Sequence, residues 1–212
     1  MKSKSLSSHL QVKRYGDFEL TDAIRPAPEA KLVPKQGYRL GSYRDAEIGF
    51  QVPVLAAAVS RDRLFNVFLE MIDPLGPVVD VVLESSHEST TGGHRDYIRT
   101  GIDLPVLESN LWEFEELLLN DGCTGIAVIS TARPQEIQFD EHKLLVAYAR
   151  EPHELVAILE DNGIARDDKL KLISEAEHLH TTEPRYESAF HELCNRLGAS
   201  RPTGRSPWAF SP

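Results

Sequence analysis

The segment 110–163 constrains the fold more than any other part of the chain, because its apolar residues change from a helical period to a strand period and back. Asn110 and Glu113 stand at the spacing of a capping box ahead of a leucine-rich helical stripe, which Gly122 ends. Three strands follow before the next helix, over residues 125–130, 136–140 and 144–149. This order predicts helices beside a mostly antiparallel sheet.

The three strands also indicate their place in the sheet. Ile137 and Phe139 alternate with polar residues, which predicts a strand with one buried face. The run 144–149 is apolar on both faces, so we expect it near the middle of the sheet. Pro152 then opens a helix that Gly163 ends.

Elements on either side of this segment complete the predicted fold. A helix and a long-looped strand pair precede it, over residues 60–72, 78–86 and 97–104. Two helices follow it, over residues 167–180 and 183–197. The prediction is an α+β fold, a two-layer α/β sandwich with a mostly antiparallel sheet, helices packed on one face and a C-terminal helical pair.

The chain divides into three predicted regions. Residues 1–50 are rich in proline between positions 26 and 34, which predicts an extended N-terminal arm and wrapping segment. Residues 51–198 predict a single α/β domain, since 212 residues suit one domain of ordinary size. Residues 199–212 form a proline-rich C-terminal tail.

The bulk composition limits the partners and the compartment. The formal net charge is −10, which disfavours a nucleic-acid surface because phosphate contacts need clustered lysine and arginine. The apolar runs are far shorter than the roughly 20 residues of a membrane-spanning helix. Cys123 and Cys194 provide no disulfide framework, so we expect reduced thiols in a cytoplasmic protein.

One predicted loop concentrates groups with catalytic chemistry. It contains two serines, two histidines and an acid, namely Ser85, Ser86, His87, His94 and Asp96. A hydrolase needs such a serine within hydrogen-bond reach of a histidine, and a metal-assisted enzyme needs imidazoles and carboxylates that converge. Arg95 adds a candidate binding residue. The alternative interpretation is a solvated hairpin loop, the ordinary outcome for a polar connection.

A second set of residues has ligand chemistry for a metal ion. Glu175 and His178 are three residues apart, which places both side chains on one face of a predicted helix. Glu187 and His191 form a similar pair on the next helix. With His180, these residues predict an opportunistic zinc or nickel site. The alternative is the charged outer face of an amphipathic helix.

Titratable residues also meet between the second and third predicted strands, in the sequence DEHK over residues 140–143. Asp at the first position of a turn is explained by hydrogen bonds from its carboxylate to the local backbone. We therefore interpret Asp140 and His142 as parts of a tight turn and not of a site.

The tail offers a binding interpretation. Its arginines stand near Trp208 and Phe210, whose rings are costly to leave in water. Such a tail can lie on its own domain or exchange with a second copy of the chain. The leading hypothesis is therefore a non-catalytic protein that acts by binding, as a homodimer and without a cofactor. The alternative is the hydrolase or metal-assisted enzyme at residues 85–96.

Overall fold

In the computed structural model of this chain, the described residues are 9–44, 49, 51–87 and 93–202. They form an α+β fold with a seven-stranded antiparallel sheet and five α-helices. The strands are β1 (Arg14–Tyr15), β2 (Phe18–Glu19), β3 (Ile24–Pro26), β4 (Gly37–Arg44), β5 (Gln51–Ala58), β6 (Val78–Ser85), β7 (Arg95–Asp103), β8 (Thr124–Ser130), β9 (Gln135–Phe139), β10 (Leu145–Ala149) and β11 (His178–His180). The helices are α1 (Arg61–Ile72), α2 (Leu104–Glu113), α3 (Glu115–Asn120), α4 (His153–Asp161) and α5 (Pro184–Leu197). Within the described ranges, no helix has both the length and the apolar run needed to cross a membrane.

The large sheet has the strand order β4–β5–β10–β9–β8–β6–β7, and every neighbouring pair is antiparallel. The three strands predicted between the two helices are confirmed as β8, β9 and β10. β9 occupies the central position, and Ile137 and Phe139 are buried as their alternation predicts. The predicted long-looped pair is also confirmed, since β6 pairs with β7 and sets Leu83 opposite Tyr97.

One large apolar core joins this sheet to the helices. Each of the five helices contributes buried side chains to it, and the strands contribute alternate residues. Near its centre, Phe68 of α1 packs edge-on against Phe139 of β9 with a ring centroid distance of 5.3 Å. Burying one such side chain contributes roughly 1.5–3 kcal/mol to stability, so the period of these apolar residues determines which face each element turns inward.

The helix predicted from Asn110 begins earlier and has a break. α2 starts at Leu104 with a proline in its first turn. N–H groups at this position have no acceptor within the helix, so a proline, which has no N–H, loses no hydrogen bond there. Asn110 does not cap a helix, since its Nδ2 donates to the Val106 carbonyl in the interior of α2. Phe114 separates α2 from α3.

Of the two helices predicted near the C-terminus, the structure contains only the second. α5 matches the prediction for residues 183–197, but residues 167–180 form turns, a 3-10 helix (Ile173–Glu175) and strand β11 instead of an α-helix. The reason lies in local hydrogen bonding and burial. The Asp167 carboxylate accepts the Lys169 N–H, as in a turn, and Leu170 and Leu172 are both buried at a spacing of two, which suits extended chain.

A smaller apolar cluster covers part of the other face of the sheet. Ala58 and Leu144 belong to it, whereas their neighbours Ala57 and Leu145 belong to the large core, so the two clusters lie on opposite faces. The remaining buried members come from the N-terminal segment and from the chain before β11, namely Phe18, Leu20, Ile24, Leu170, Leu172 and Ile173.

The N-terminal segment contributes strands to all three sheets, and β1 and β2 pair with each other in one of them. β3 pairs with β11 in a separate two-stranded sheet, with Ile24 opposite His180 and Pro26 opposite His178. β4 also belongs to the segment predicted to wrap the domain, yet it forms the edge strand of the large sheet beside β5. In this arrangement β11 lies beside the turn between β9 and β10, at one end of the large sheet.

Candidate metal site

Three histidines converge where β11 meets the turn between β9 and β10. His178 and His180 are separated by one residue on β11, so the strand directs both side chains to the same side. His142 lies in the β9–β10 turn. One ring nitrogen of each residue lies within 4.8 Å of those of the other two, and the ring centroids are 4.8–5.0 Å apart. We call His142, His178 and His180 the histidine cluster.

The β9–β10 turn is held tightly, which fixes the position of His142. The Asp140 carboxylate accepts the Leu144 N–H at 2.8 Å, and the Asp140 carbonyl accepts the Lys143 N–H at 3.0 Å. Lys143 has a φ of 60°, in the left-handed region that residues other than glycine rarely adopt. Its buried Nζ donates to the Thr124 carbonyl at 2.8 Å, and burial lowers the pKa of this amine to about 8. The turn is therefore anchored to β8 from inside the protein.

Each ring of the histidine cluster already has an acceptor at Nδ1. The three contacts are His178 to the Ala176 carbonyl at 2.7 Å, His180 to the Gly122 carbonyl at 2.6 Å, and His142 to the Asp140 carboxylate at 3.1 Å. A carbonyl oxygen only accepts, so Nδ1 carries the proton in His178 and His180. In a neutral ring of this tautomer, Nε2 keeps a free lone pair. The cluster therefore has Nε2 atoms available as ligands.

The charge states of the cluster are set by burial and by neighbouring groups. Burial lowers the pKa of His180 and outweighs the hydrogen bond to the Gly122 carbonyl and the charge of Glu141, which raise it, so His180 favours its neutral form. Burial also lowers the pKa of His142, but the hydrogen bond and charge of Asp140 outweigh this and raise it. A carboxylate behind an imidazole in this way is the usual support for a metal-binding histidine.

Glu141 is a carboxylate next to the histidine cluster. Its Oε1 lies 3.4 Å from His94 Nε2, and its Oε2 accepts from Ser86 Oγ at 3.4 Å. Burial raises the pKa of Glu141, but the hydrogen bond with His94 and the charges of His94, His180 and His142 lower it by more. Glu141 therefore favours the ionised form, with one contact on each oxygen.

The residues predicted for the 85–96 loop divide into separate groups in the structure. Ser86 and His94 meet at Glu141, as described above, whereas Ser85 is buried and accepts the His87 N–H. In the described part of the chain, no hydrogen bond joins either serine hydroxyl to a histidine ring. Asp96 lies on β7 opposite Glu84, and Arg95 lies opposite Ser85. Among the described loop residues, Ser86 and His94 therefore each contact Glu141 and do not contact each other through a hydrogen bond.

His87 belongs to a second cluster, with Asp121 and Cys123. His87 Nε2 lies 2.8 Å from Asp121, whose fully buried carboxylate also accepts the Thr124 hydroxyl and the Cys123 N–H. Burial raises the pKa of Asp121, but its hydrogen bonds with the side chains of His87, Thr124 and Thr182, and the charge of His87, lower it by more. Burial raises the pKa of the Cys123 thiol, which disfavours the thiolate form. Hydrogen bonding therefore accounts for this second cluster without a cation.

The residues predicted for a metal site on two helices do not gather. Glu175 Oε1 pairs with Arg39 at 2.8 Å, and Glu187 and His191 lie on α5. Among the described residues, neither group of three ligands includes Glu175, Glu187 or His191, whereas His178 joins His142 and His180. The two predicted binding residues of the tail, Trp208 and Phe210, lie outside the described residues.

His142 entered the sequence prediction only as a turn residue, whereas His178 and His180 were predicted as metal ligands on a helix, together with Glu175, Glu187 and His191. The sequence signal for His178 and His180 is their spacing of two residues. On a strand this spacing places both side chains on one face, whereas on a helix it directs them to different faces. No relative assists this assignment, since comparison of the chain with protein-family models, curated proteins and solved structures gives no match.

Proposed function

We propose that the protein binds a divalent first-row transition-metal ion, with zinc foremost, through Nε2 of His142, His178 and His180. The observation that carries the proposal is the hydrogen bonding of the cluster: each Nδ1 has an acceptor, which leaves Nε2 of each ring for a cation. Imidazole nitrogen is a preferred ligand of zinc, copper, iron and nickel.

The convergence of the three rings supports this proposal. One ring nitrogen of each residue lies within 4.8 Å of those of the other two. A zinc ion bound at Zn–N distances of about 2.0–2.1 Å draws such atoms together. The acceptors behind the rings orient them, as in established metal sites.

The exposure of the cluster favours a site with an open coordination position. His142 and His178 are half-buried, and His180 is exposed. Zinc is usually four-coordinate, so three protein ligands leave a position for water or a bound molecule. Structural zinc sites instead surround the ion with four protein ligands.

Isothermal titration of the metal-free 212-residue chain with zinc chloride tests the proposal. We expect one equivalent of zinc per chain and a loss of affinity of at least about 100-fold in His180→Ala, since a ligand matters no less than its supporting residues. His153→Ala is the matched control, because His153 is exposed and belongs to neither ligand cluster. Equal zinc binding by wild type, His180→Ala and His153→Ala refutes the proposal.

Self-association into a homodimer is a second, separate proposal. Val106 and Trp112 on α2 expose 51% and 53% of their surfaces, which is unusual for large apolar side chains. Trp112 also packs edge-on against Phe65, so α2 presents the ring in a fixed position. Sedimentation velocity at micromolar concentration should give a dimer for the wild type and a monomer for Trp112→Glu. A monomeric wild type refutes it.

A further inference from the structure

We infer that the large sheet binds a small aromatic carboxylate on its outer face, the face opposite the large core, between strands β4, β5 and β10. The inference goes beyond the proposed metal binding, because no residue of the histidine cluster lines this site. The site is an open depression of about 270 Å³ in which Arg39, Tyr43 and Tyr148 surround a floor of small residues. Small-molecule sites usually measure about 300–1,000 Å³, so this depression suits a ligand of one or two rings.

The floor of the depression is flat because β4 contributes a glycine to it. Gly41 lies opposite Val54 on β5, and Ala56 follows Val54 on the same face, since Leu55 between them belongs to the large core. Among the described residues, nothing lies within 4 Å of a Cβ atom built at position 41, so the space above Gly41 is open. Neighbouring strands lie about 4.8 Å apart and residues two apart on a strand about 6.7 Å, which is the scale of a planar ring.

Two tyrosine rings form a corner beside this floor. Tyr43 follows Gly41 by two residues on β4, and Tyr148 on β10 lies opposite Val54. Their ring centroids are 6.1 Å apart and their planes are nearly perpendicular, at 87°, so each ring holds the other in place. Aromatic rings attract one another at centroid distances of 4.5–7 Å in edge-to-face or offset arrangements. The corner therefore favours an aromatic ligand over an aliphatic one of similar size.

Arg39 supplies the positive charge of the site. It precedes Gly41 by two residues on the same face of β4, and its side chain is 31% exposed. Its Nη1 donates to the Leu170 carbonyl at 3.0 Å, and its Nη2 donates to Glu175 Oε1 at 2.8 Å. In the described part of the chain, these contacts use two of the five N–H donors of the guanidinium. Arg39 is thus held in position and keeps donors for a carboxylate, whose planar geometry it matches.

The charge around Arg39 favours an anion even though Glu175 is bonded to it. A second depression shares Arg39 and is lined by two lysines and two acids, namely Lys169, Lys171, Asp168 and Glu175. Three cationic and two anionic side chains leave one positive charge there, whereas the whole chain carries a formal net charge of −10. This local excess of positive charge suits a ligand with a single negative charge.

NMR titration of the ¹⁵N-labelled 212-residue chain tests the inference, with 2-naphthoate as the probe and a chelator present to remove metal ions. We expect saturable shifts of the amide signals of Gly41, Val54 and Ala56. The neutral 2-naphthol should bind at least about tenfold more weakly, because it lacks the charged partner of Arg39. Cyclohexanecarboxylate should bind at least about fivefold more weakly, because it lacks the aromatic contacts with the two tyrosines.

Gly41→Leu is the most direct variant, because the new side chain fills the depression. Gly41 does not have a positive φ and has open space at its Cβ position among the described residues, so the unfolding midpoint in urea should not fall. The saturable binding of 2-naphthoate should be lost. Thr100→Leu is the matched control: it adds a leucine at an exposed position of the other edge strand, β7, and should bind 2-naphthoate as the wild type does.

Arg39→Gln is a second variant that does not fill the depression. Its amide can still donate to the Leu170 carbonyl, and its affinity for 2-naphthoate should fall to the level of 2-naphthol. The inference is overturned if the wild type shows no saturable shift at Gly41, if either comparison ligand binds as tightly as 2-naphthoate, or if Gly41→Leu binds as the wild type does. If Gly41→Leu does not fold, an unchanged preference of Arg39→Gln for 2-naphthoate overturns it. Because the chelator excludes zinc, none of these results depends on the metal proposal.

Discussion

The buried carboxyl group of Glu84 should make the free energy of unfolding depend on pH. Its side chain on β6 lies over Gly125, where a Cβ atom at residue 125 would approach Glu84 Oε2 to 3.3 Å. Burial, and next the negative charge of Asp96 on the neighbouring strand, raise the pKa of Glu84 from 4.5 to about 7. The folded protein therefore favours the neutral form of this carboxyl.

The sign and size of the effect follow from linkage. Below pH 4.5, Glu84 is protonated in both the folded and the unfolded chain. Between pH 4.5 and about 7, the unfolded chain loses this proton while the folded chain keeps it, so the free energy of unfolding falls as pH rises. Each pKa unit corresponds to about 1.4 kcal/mol, so the loss above pH 7 amounts to about 3 kcal/mol.

The substitution Glu84→Gln keeps the shape of the side chain and removes its titration. Urea unfolding of both proteins, with chelator present, should show that the stability of the variant relative to wild type increases by about 3 kcal/mol from acid to mildly alkaline pH. Titrating groups that do not interact with Glu84 are common to both proteins and cancel in this difference. Glu151→Gln, at an exposed position, should show no such change. A Glu84→Gln difference that is constant with pH contradicts the burial argument.

Three further substitutions test the supports of the site and the core. Asp140→Asn replaces the acceptor behind His142 and should lower zinc affinity about 10–100-fold by calorimetry, whereas unchanged affinity argues against a supporting role. Gly122→Ala sets a Cβ atom 2.5 Å from a backbone oxygen and displaces the carbonyl that holds His180, so both the unfolding midpoint and zinc affinity should fall. Leu155→Ala leaves a cavity under α4 and should cost about 2–5 kcal/mol in urea unfolding with zinc affinity retained; a cost under about 1 kcal/mol contradicts the burial of this residue.

The large sheet was predictable because its signals are local. The alternation at Ile137 and Phe139 and the apolar helix over residues 60–72 each specify a period within one element, and both elements form as expected. The edge strand β4 was not predictable in the same way. Its apolar residues Tyr38 and Leu40 stand among glycines and prolines, and only pairing with β5 makes the segment a strand.

The candidate site depends on contacts that no local pattern encodes. Leu170 and Ile173 fit a helical spacing, Leu170 and Leu172 fit an extended one, and the chain then pairs β11 with β3, which is far away in sequence. The pairing of β11 with β3 places the side chains of His178 and His180 on one side of a strand. His142, in turn, has an ordinary turn environment in sequence, and its importance follows only from the approach of β11.

The membership of the histidine cluster in two different sheets has a consequence for folding. His178 and His180 belong to the two-stranded sheet with β3, whereas His142 belongs to the β9–β10 turn of the large sheet. A bound ion is therefore a cross-link between the sheets, comparable in effect to a disulfide that can be removed by a chelator. Zinc at 100 times its dissociation constant adds about 2.7 kcal/mol to the free energy of unfolding. If the proposed site binds zinc, the docking of β11 and β3 onto the protein will vary with the metal content of the surroundings.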